Sequence, residues 1–201
     1  MIQIALTERL KGLYPTIYPE DFKDSMVIKG FQDLIGFKKV ALEKMKPYAG
    51  ECVEVLRCGG IAQELLAVIV AADELHINLS IGLMNTETGI YYPQKVTWKK
   101  GKGKKKPDQY FLLCGGRHEN VCEKHIFEPI ADDKRFDFEW LEKNAEDNLE
   151  AYRGQTVGVY LTGLSTLAIS TLNAAEKLGI SLIFYHYDRD EEEYFPQYVD
   201  E

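Results

Sequence analysis

The chain has 201 residues, 45% hydrophobic and 11% aromatic, enough apolar material for the core of one domain or of two small ones. A formal net charge of −8 disfavours broad electrostatic binding to duplex nucleic acid, yet allows a small anion in a locally positive pocket. No apolar run reaches the ~20 residues of a membrane helix, and the opening MIQIALTERLKG lacks a signal-peptide hydrophobic region; a soluble cytoplasmic protein is expected.

In chain order, a strand-like run, IQIAL, is followed by an irregular stretch and a helical segment ending in Tyr48-Ala49-Gly50. Cys52–Leu56 then reads as a strand, Ile61–Leu75 as a helix, Leu79–Met84 as a strand and Tyr91–Trp98 as a last strand. WKKGKGKKKPDQY comes next, with six lysines between Lys99 and Lys106. It is read as a solvated connector held open by charge repulsion, or as a basic flap that helps to attract an anion.

The second half opens on the strand-like YFLLC and reaches a helical segment ending in Tyr152-Arg153-Gly154. Thr156–Leu161 is a short run of β-formers closed by the turn signal Thr162-Gly163. Apolar residues at Leu167, Ile169, Leu172, Ala175 and Leu178 give Ser165–Leu178 a helix face, with Ser165 or Thr166 as N-cap and Gly179 as the stop. Ile180–Tyr187 reads as a strand, Asp188–Glu193 as a solvated turn and Tyr194–Val199 as the final strand.

The halves repeat one another. Ala71-Ala72-x-x-Leu75-x-Ile77 matches Ala174-Ala175-x-x-Leu178-x-Ile180, and Tyr91-Tyr92-Pro93-Gln94-x-Val96 matches Tyr194-Phe195-Pro196-Gln197-x-Val199, both at an offset of 103 residues. Solenoid repeats run to ~20–50 residues, so this period marks a duplicated domain. The strand-helix-strand-hairpin order calls for a parallel pair with a right-handed crossover, and hence for an α/β sheet covered by helices. The expected organisation is a first unit over 1–98, a lysine-rich connector over 99–108 and a second unit over 109–201, forming an intrachain pseudo-dimer suited to a two-fold-symmetric ligand. The chain would act as a monomer or a homodimer.

Open α/β sheets bind ligands beyond the carboxyl ends of their strands, where helix N-termini present free N–H groups. Those turns are Arg57-Cys58-Gly59-Gly60 in the first copy and Thr162-Gly163-Leu164-Ser165-Thr166 in the second. Gly59, Gly60 and Gly163 either serve the tight turn alone or let the backbone approach a phosphate, with Arg57, Thr162, Ser165 and Thr166 adding donors. After YFLLC come Gly115-Gly116-Arg117-His118, so Arg57 and Arg117 would create a positive crevice in an acidic protein.

His186, in the run YHYDR, is either a general acid or base facing that crevice or a satisfied strand histidine. The four cysteines have no CxxC spacing, and no His, Cys and carboxylate set has metal-site spacing; buried free thiols, no metal and no cofactor are expected. P-loop, GxGxxG, GxSxG and HExxH patterns do not occur, which weighs against the common NTPase, dinucleotide oxidoreductase, hydrolase and zinc protease classes.

The unit VGVYLTGLSTLAIS…LIFYHYDRDEEEYFPQ, together with its duplication, resembles the small Rossmann-like proteins of type III CRISPR antiviral systems, the CARF sensor domains and the ring nucleases. The resemblance implies two tandem Rossmann-like units with a cyclic oligoadenylate, a small anionic nucleotide, lying across their junction. As a ring nuclease the chain would cleave it without metal, by attack of a ribose 2′-OH on the adjacent phosphorus. The positions matching that role are His186, Ser165 and Thr166 for catalysis and Arg57, Gly59, Gly60, Arg117, Thr162 and Gly163 for ligand binding. The alternatives are a non-catalytic sensor or sequestering protein, an assembly module, or an unrelated small-nucleotide enzyme.

Overall fold

The computed structural model describes residues 1–6, 34–57, 62–101, 106–116, 118, 120–162, 164–188 and 191–199. The chain divides into two compact units, Met1–Val96 and Thr97–Glu201. No helix among the described residues is long and apolar enough to cross a membrane.

The first unit runs β1 (Ile2–Ala5), α1 (Leu34–Met45), β2 (Cys52–Arg57), α2 (Ala62–Glu74), β3 (Asn78–Met84) and β4 (Tyr91–Lys95). Its sheet has the order β1-β2-β3-β4, parallel through β3 and closed by the antiparallel β4. The second unit runs β5 (Gln109–Cys114), β6 (His125–Phe127), α3 (Phe138–Leu149), β7 (Thr156–Tyr160), α4 (Ser165–Leu178), β8 (Ser181–Asp188) and β9 (Glu193–Tyr198). Its order is β6-β5-β7-β8-β9, again parallel with an antiparallel last strand. Two tandem Rossmann-like α/β units are thus present, in the strand-helix-strand-hairpin order expected from the repeat.

In each unit the two helical crossovers step in the same direction along the sheet, so right-handedness puts both helices on one face. Apolar side chains at every second strand position meet them: Ile4, Val55 and Ile81 in the first unit, Phe111, Val159 and Phe184 in the second, all buried. Full burial of such a side chain contributes ~1.5–3 kcal/mol. α1 packs on α2 and α3 on α4, and the ring of Tyr152, just after α3, meets Phe111 edge-on at 5.0 Å. In the second unit the buried Asn173 of α4 accepts from the Thr97 backbone N–H at 2.8 Å and donates to Glu142 of α3 at 2.7 Å. That pair fastens Thr97, the first residue of the second unit, to the helix layer.

The duplication extends to individual hydrogen bonds. Gly82 pairs with Pro93 as Tyr185 pairs with Pro196, and Ile81 with Gln94 as Phe184 with Gln197, so both hairpins share one register. Gly50 and Gly154, at φ +80° and +74°, both donate to a carbonyl at the end of a helix, Leu75 just after α2 at 3.0 Å and Leu178, the last residue of α4, at 3.3 Å. At the hairpin tip, Asn85 Oδ1 accepts from the Glu87 N–H, and Asp188 Oδ1 accepts from the Glu191 N–H. This contact gives the acidic run Asp188–Glu193 a turn-forming role at its first residue.

One difference between the units concerns bulk. Glu54 and Gly82 lie on adjacent strands of the first sheet, and a Cβ at Gly82 would come within 3.0 Å of Glu54 Oε1 and 2.7 Å of Leu56 Cδ2. In the second unit the glycine has changed strand: a Cβ at Gly158 would lie 2.8 Å from Tyr110 and 3.0 Å from Tyr185. Each sheet therefore accommodates a large side chain opposite a missing one. Cys52 is exposed and Cys114 and Cys122 are half-buried free thiols, so these three are not the buried cysteines expected from composition.

Candidate functional site

The β7–α4 turn of the second unit holds Thr162, Ser165 and Thr166 within five residues of chain. The helix begins one residue before a Ser165 cap would start it: Leu164 is the N-cap, and no side chain caps the helix. The carbonyl of Leu164 accepts from the N–H groups of Leu167 at 3.1 Å and Ala168 at 3.4 Å. An α-helix of 14 residues with no side-chain cap keeps the positive end of its dipole available to an anion.

The three hydroxyls differ in availability. Thr162 Oγ1 donates to the Cys114 carbonyl at 2.8 Å and accepts from the Cys114 N–H at 3.1 Å, which ties the turn to the end of β5. Thr166 is buried, whereas Ser165, the first helical residue, is half-exposed. Among these three, Ser165 is the side chain positioned to meet a ligand.

Arg57 closes β2 on the face covered by helices and is only 4% exposed. Burial pulls its guanidinium down to about 10, with the carboxylate of Glu64, in the first turn of α2, opposing that shift. The group remains a cation at neutral pH. Gly59, Gly60, Arg117 and Gly163 lie outside the described residues, as do Lys102, Lys104 and Lys105 of the lysine run.

His186 also faces the helix-covered side, 5% exposed, and its Nε2–H donates to Gln197 Oε1 on β9 at 2.7 Å. Burial lowers its imidazole to about 4 against the smaller opposing effect of the Gln197 bond, so the ring is neutral at pH 7. The register places it next to Phe195 and between the strand neighbours Tyr185 and Tyr187, which point to the other face.

That other face carries a group of rings that the linear sequence did not single out. Tyr110 of β5, Tyr160 of β7, Tyr185 and Tyr187 of β8 and Tyr194 of β9 form a connected set, with centroids 4.8–6.0 Å apart. His118, at φ +59° in the segment after β5, lies 5.4 Å from Tyr187 and 6.0 Å from Tyr194. Burial holds Tyr160, Tyr185 and Tyr194 above the usual phenol range, Tyr185 additionally through a hydrogen bond with Tyr110, so all three stay protonated donors. The readable signal was the i, i+2 spacing of Tyr185 and Tyr187. Among the described residues no group of three or more His, Cys, Asp or Glu is placed to hold a metal ion.

No protein-family model and no curated protein matches the sequence. Solved structures do match. A Cap4 SAVED/CARF-domain receptor from Moraxella osloensis superposes with a TM-score of 0.60 at 12% identity, over 98% of this chain and 49% of that one. The Acinetobacter baumannii Cap4 receptor solved with the cyclic trinucleotide 3′3′3′-cAAA gives 0.60 at 12% identity over 98% of this chain and 51% of the other. The same receptor with 2′3′3′-cAAA gives 0.60 at 13%, over 100% and 51%. The chain therefore has the tandem Rossmann-like SAVED/CARF-type fold and spans about half the length of the receptors it resembles.

Proposed function

We propose that this chain binds a cyclic oligoadenylate, as a receptor module of a cytoplasmic antiviral defence system. The observation that carries the reading is the match of the whole duplicated chain to receptors solved with cyclic triadenylates. The uncapped N-terminus of α4, with the half-exposed Ser165 in its first turn, supports it by providing phosphate-binding N–H groups at a strand end. Arg57, Thr162 and the turn glycines 59, 60 and 163, with Arg117, are the remaining ligand-binding candidates.

Cleavage is the second reading, supported by Ser165, half-exposed in the first turn of that helix, with Thr166 buried beside it. In it, the ribose 2′-oxygen bonds to phosphorus, the bond to the 5′-oxygen breaks, and the proton of the 2′-OH ends on the 5′-oxygen. The product carries a 2′,3′-cyclic phosphate. His186 would join this mechanism only as a neutral base, its Nε2–H being engaged by Gln197. A His186→Ala rate equal to the parent's would remove it.

The deciding experiment is incubation of the chain with labelled cyclic tri- and tetra-adenylate, read for retention and for products. Retention without products is expected of a receptor. Chelator-insensitive formation of 2′,3′-cyclic phosphate ends would establish cleavage, and failure to retain either ring would overturn the binding proposal.

A further inference from the structure

We propose that the tyrosine face of the second unit is a stacking platform for a nucleobase, built around Tyr110 and Tyr187. The proposal rests on the cyclic oligoadenylate reading above and adds the part of the chain that holds a base. Flat rings accept flat rings by offset stacking, and tyrosine adds a donor at its rim.

Four observations converge on it. Tyr110 and Tyr187 are 36% and 37% exposed, although aromatic side chains on a sheet with one free choice of face would normally be turned inward. The rings are positioned by the backbone: Gly158, with no side chain of its own, lies directly under the edges of Tyr110 and Tyr185. A heteroaromatic ring already rests there, since the exposed imidazole of His118 is tilted against Tyr187 and edge-on to Tyr194. Finally, the hydroxyl of Tyr194 is shut off from solvent with no hydrogen-bond partner among the described residues, a donor that a ligand acceptor reaches once one of the packed rings is displaced.

The occupant follows from the surroundings. Tyr160, Tyr185 and Tyr187 sit towards the carboxyl ends of β7 and β8, while Tyr110 extends the rings back to the amino end of β5; Tyr160 is five residues before Ser165 at the anion-accepting end of α4. Aromatic faces beside phosphate donors suit a ligand that has both a flat base and a phosphate, which is a nucleotide. Among the described strand residues, the platform belongs to the second unit. Strand register puts Gln3, Leu56, Gly82, Met84 and Tyr91 of the first unit at the positions of Tyr110, Tyr160, Tyr185, Tyr187 and Tyr194. A single tyrosine among five cannot form a stacking surface, so the two units would treat their adenines unequally.

The test uses the full chain and a cyclic triadenylate carrying 8-azidoadenine, photolysed after binding and mapped by peptide mass. Adducts are expected on the peptides containing Tyr110, Tyr187 or His118. Tyr187→Ala and Tyr110→Ala should each weaken equilibrium binding about tenfold, and Tyr187→Phe should recover most of that loss because the ring face is kept. Firm retention by the parent with adducts confined to other peptides, and Ala variants of parental affinity, would overturn the platform while leaving the binding function in place. Failure of the parent to retain the ring would overturn both.

Discussion

His76 and Gly179 occupy the same place in the two units, the turn that follows a helix, and both have left-handed backbone, at φ +55° and +63°. Their neighbours make the same bonds: Ile77 N–H to the Ala72 carbonyl at 2.8 Å and Ile180 N–H to the Ala175 carbonyl at 2.9 Å. Glycine takes this conformation without strain, whereas a residue with a Cβ loses ~1–2 kcal/mol there. The second unit has the better helix stop.

The first expectation follows from that pair. Gly179→Ala should destabilise the protein by about 1 kcal/mol, and because nothing lies within 4 Å of a Cβ at that position the loss is conformational rather than steric. His76→Gly should stabilise by roughly 0.5–1 kcal/mol, less than the full strain because glycine also loosens the unfolded chain. Urea titrations of the two variants, with unchanged slopes, would check both.

Acid should weaken the second unit through His186. Its folded value of about 4 lies below the ordinary value of 6.5, so the unfolded chain binds the extra proton first. The contribution of the neutral ring is therefore complete above pH 6.5 and is lost as pH falls from there towards 4, on the order of 3 kcal/mol in all. His186→Leu, which installs the side chain that Leu83 supplies at the matching position of the first unit, should flatten that part of the stability–pH curve. An unchanged slope would place the titrating group elsewhere.

Arg57→Ala is expected to cost about 3 kcal/mol of stability, because it leaves the buried carboxylate of Glu64 without the nearby cation. Replacing both, with Arg57→Met and Glu64→Leu, should recover most of the loss. Any change of ligand affinity in Arg57→Ala must accordingly be measured below its thermal transition, with the double variant beside it. Equal destabilisation of the single and double variants would rule out the coupling.

Gly158→Ala should cost ~1–3 kcal/mol through overpacking against Tyr110 and Tyr185. Tyr110→Ala in the same chain should relieve part of that penalty. Strict additivity of the two losses in a double-mutant cycle would contradict the packing described for this face.

Much of this architecture could be read from the chain. Ser165–Leu178 is helical over the residues its apolar period marked, and the shared Tyr-x-Pro-Gln segments lie in one hairpin register in both units. Three-residue β6 escaped notice because His125–Phe127 is too short to show a period of two. The helix starts at Ser165 as its sequence marks, but its N-cap is Leu164: the hydroxyls of Ser165 and Thr166 suggest a cap, and the backbone turns into the helix before either can serve. The alternation in Phe184, Tyr185, His186 and Tyr187 already contained the answer for His186, since a strand must send the histidine and its flanking tyrosines to opposite faces. The tyrosine face itself was hidden for a different reason. Its members come from four strands, and only pairing brings them together.

The prolines of the two hairpins bear on how such a chain stays apart from its own copies. Val96 donates to the Leu79 carbonyl and Asn85 to that of Ile90, so the residue paired with Gly82 is a non-hydrogen-bonded position whose nitrogen faces out of the sheet. That residue is Pro93, and Pro196 has the same place opposite Tyr185. Neither sheet gives up an internal bond to its proline, yet each border strand, β4 and β9, shows a neighbouring molecule one donor fewer at mid-length. A duplicated sheet doubles the number of hairpin borders in one chain, and a proline at the same place on β4 and on β9 makes both of them poorer templates for strand-by-strand aggregation.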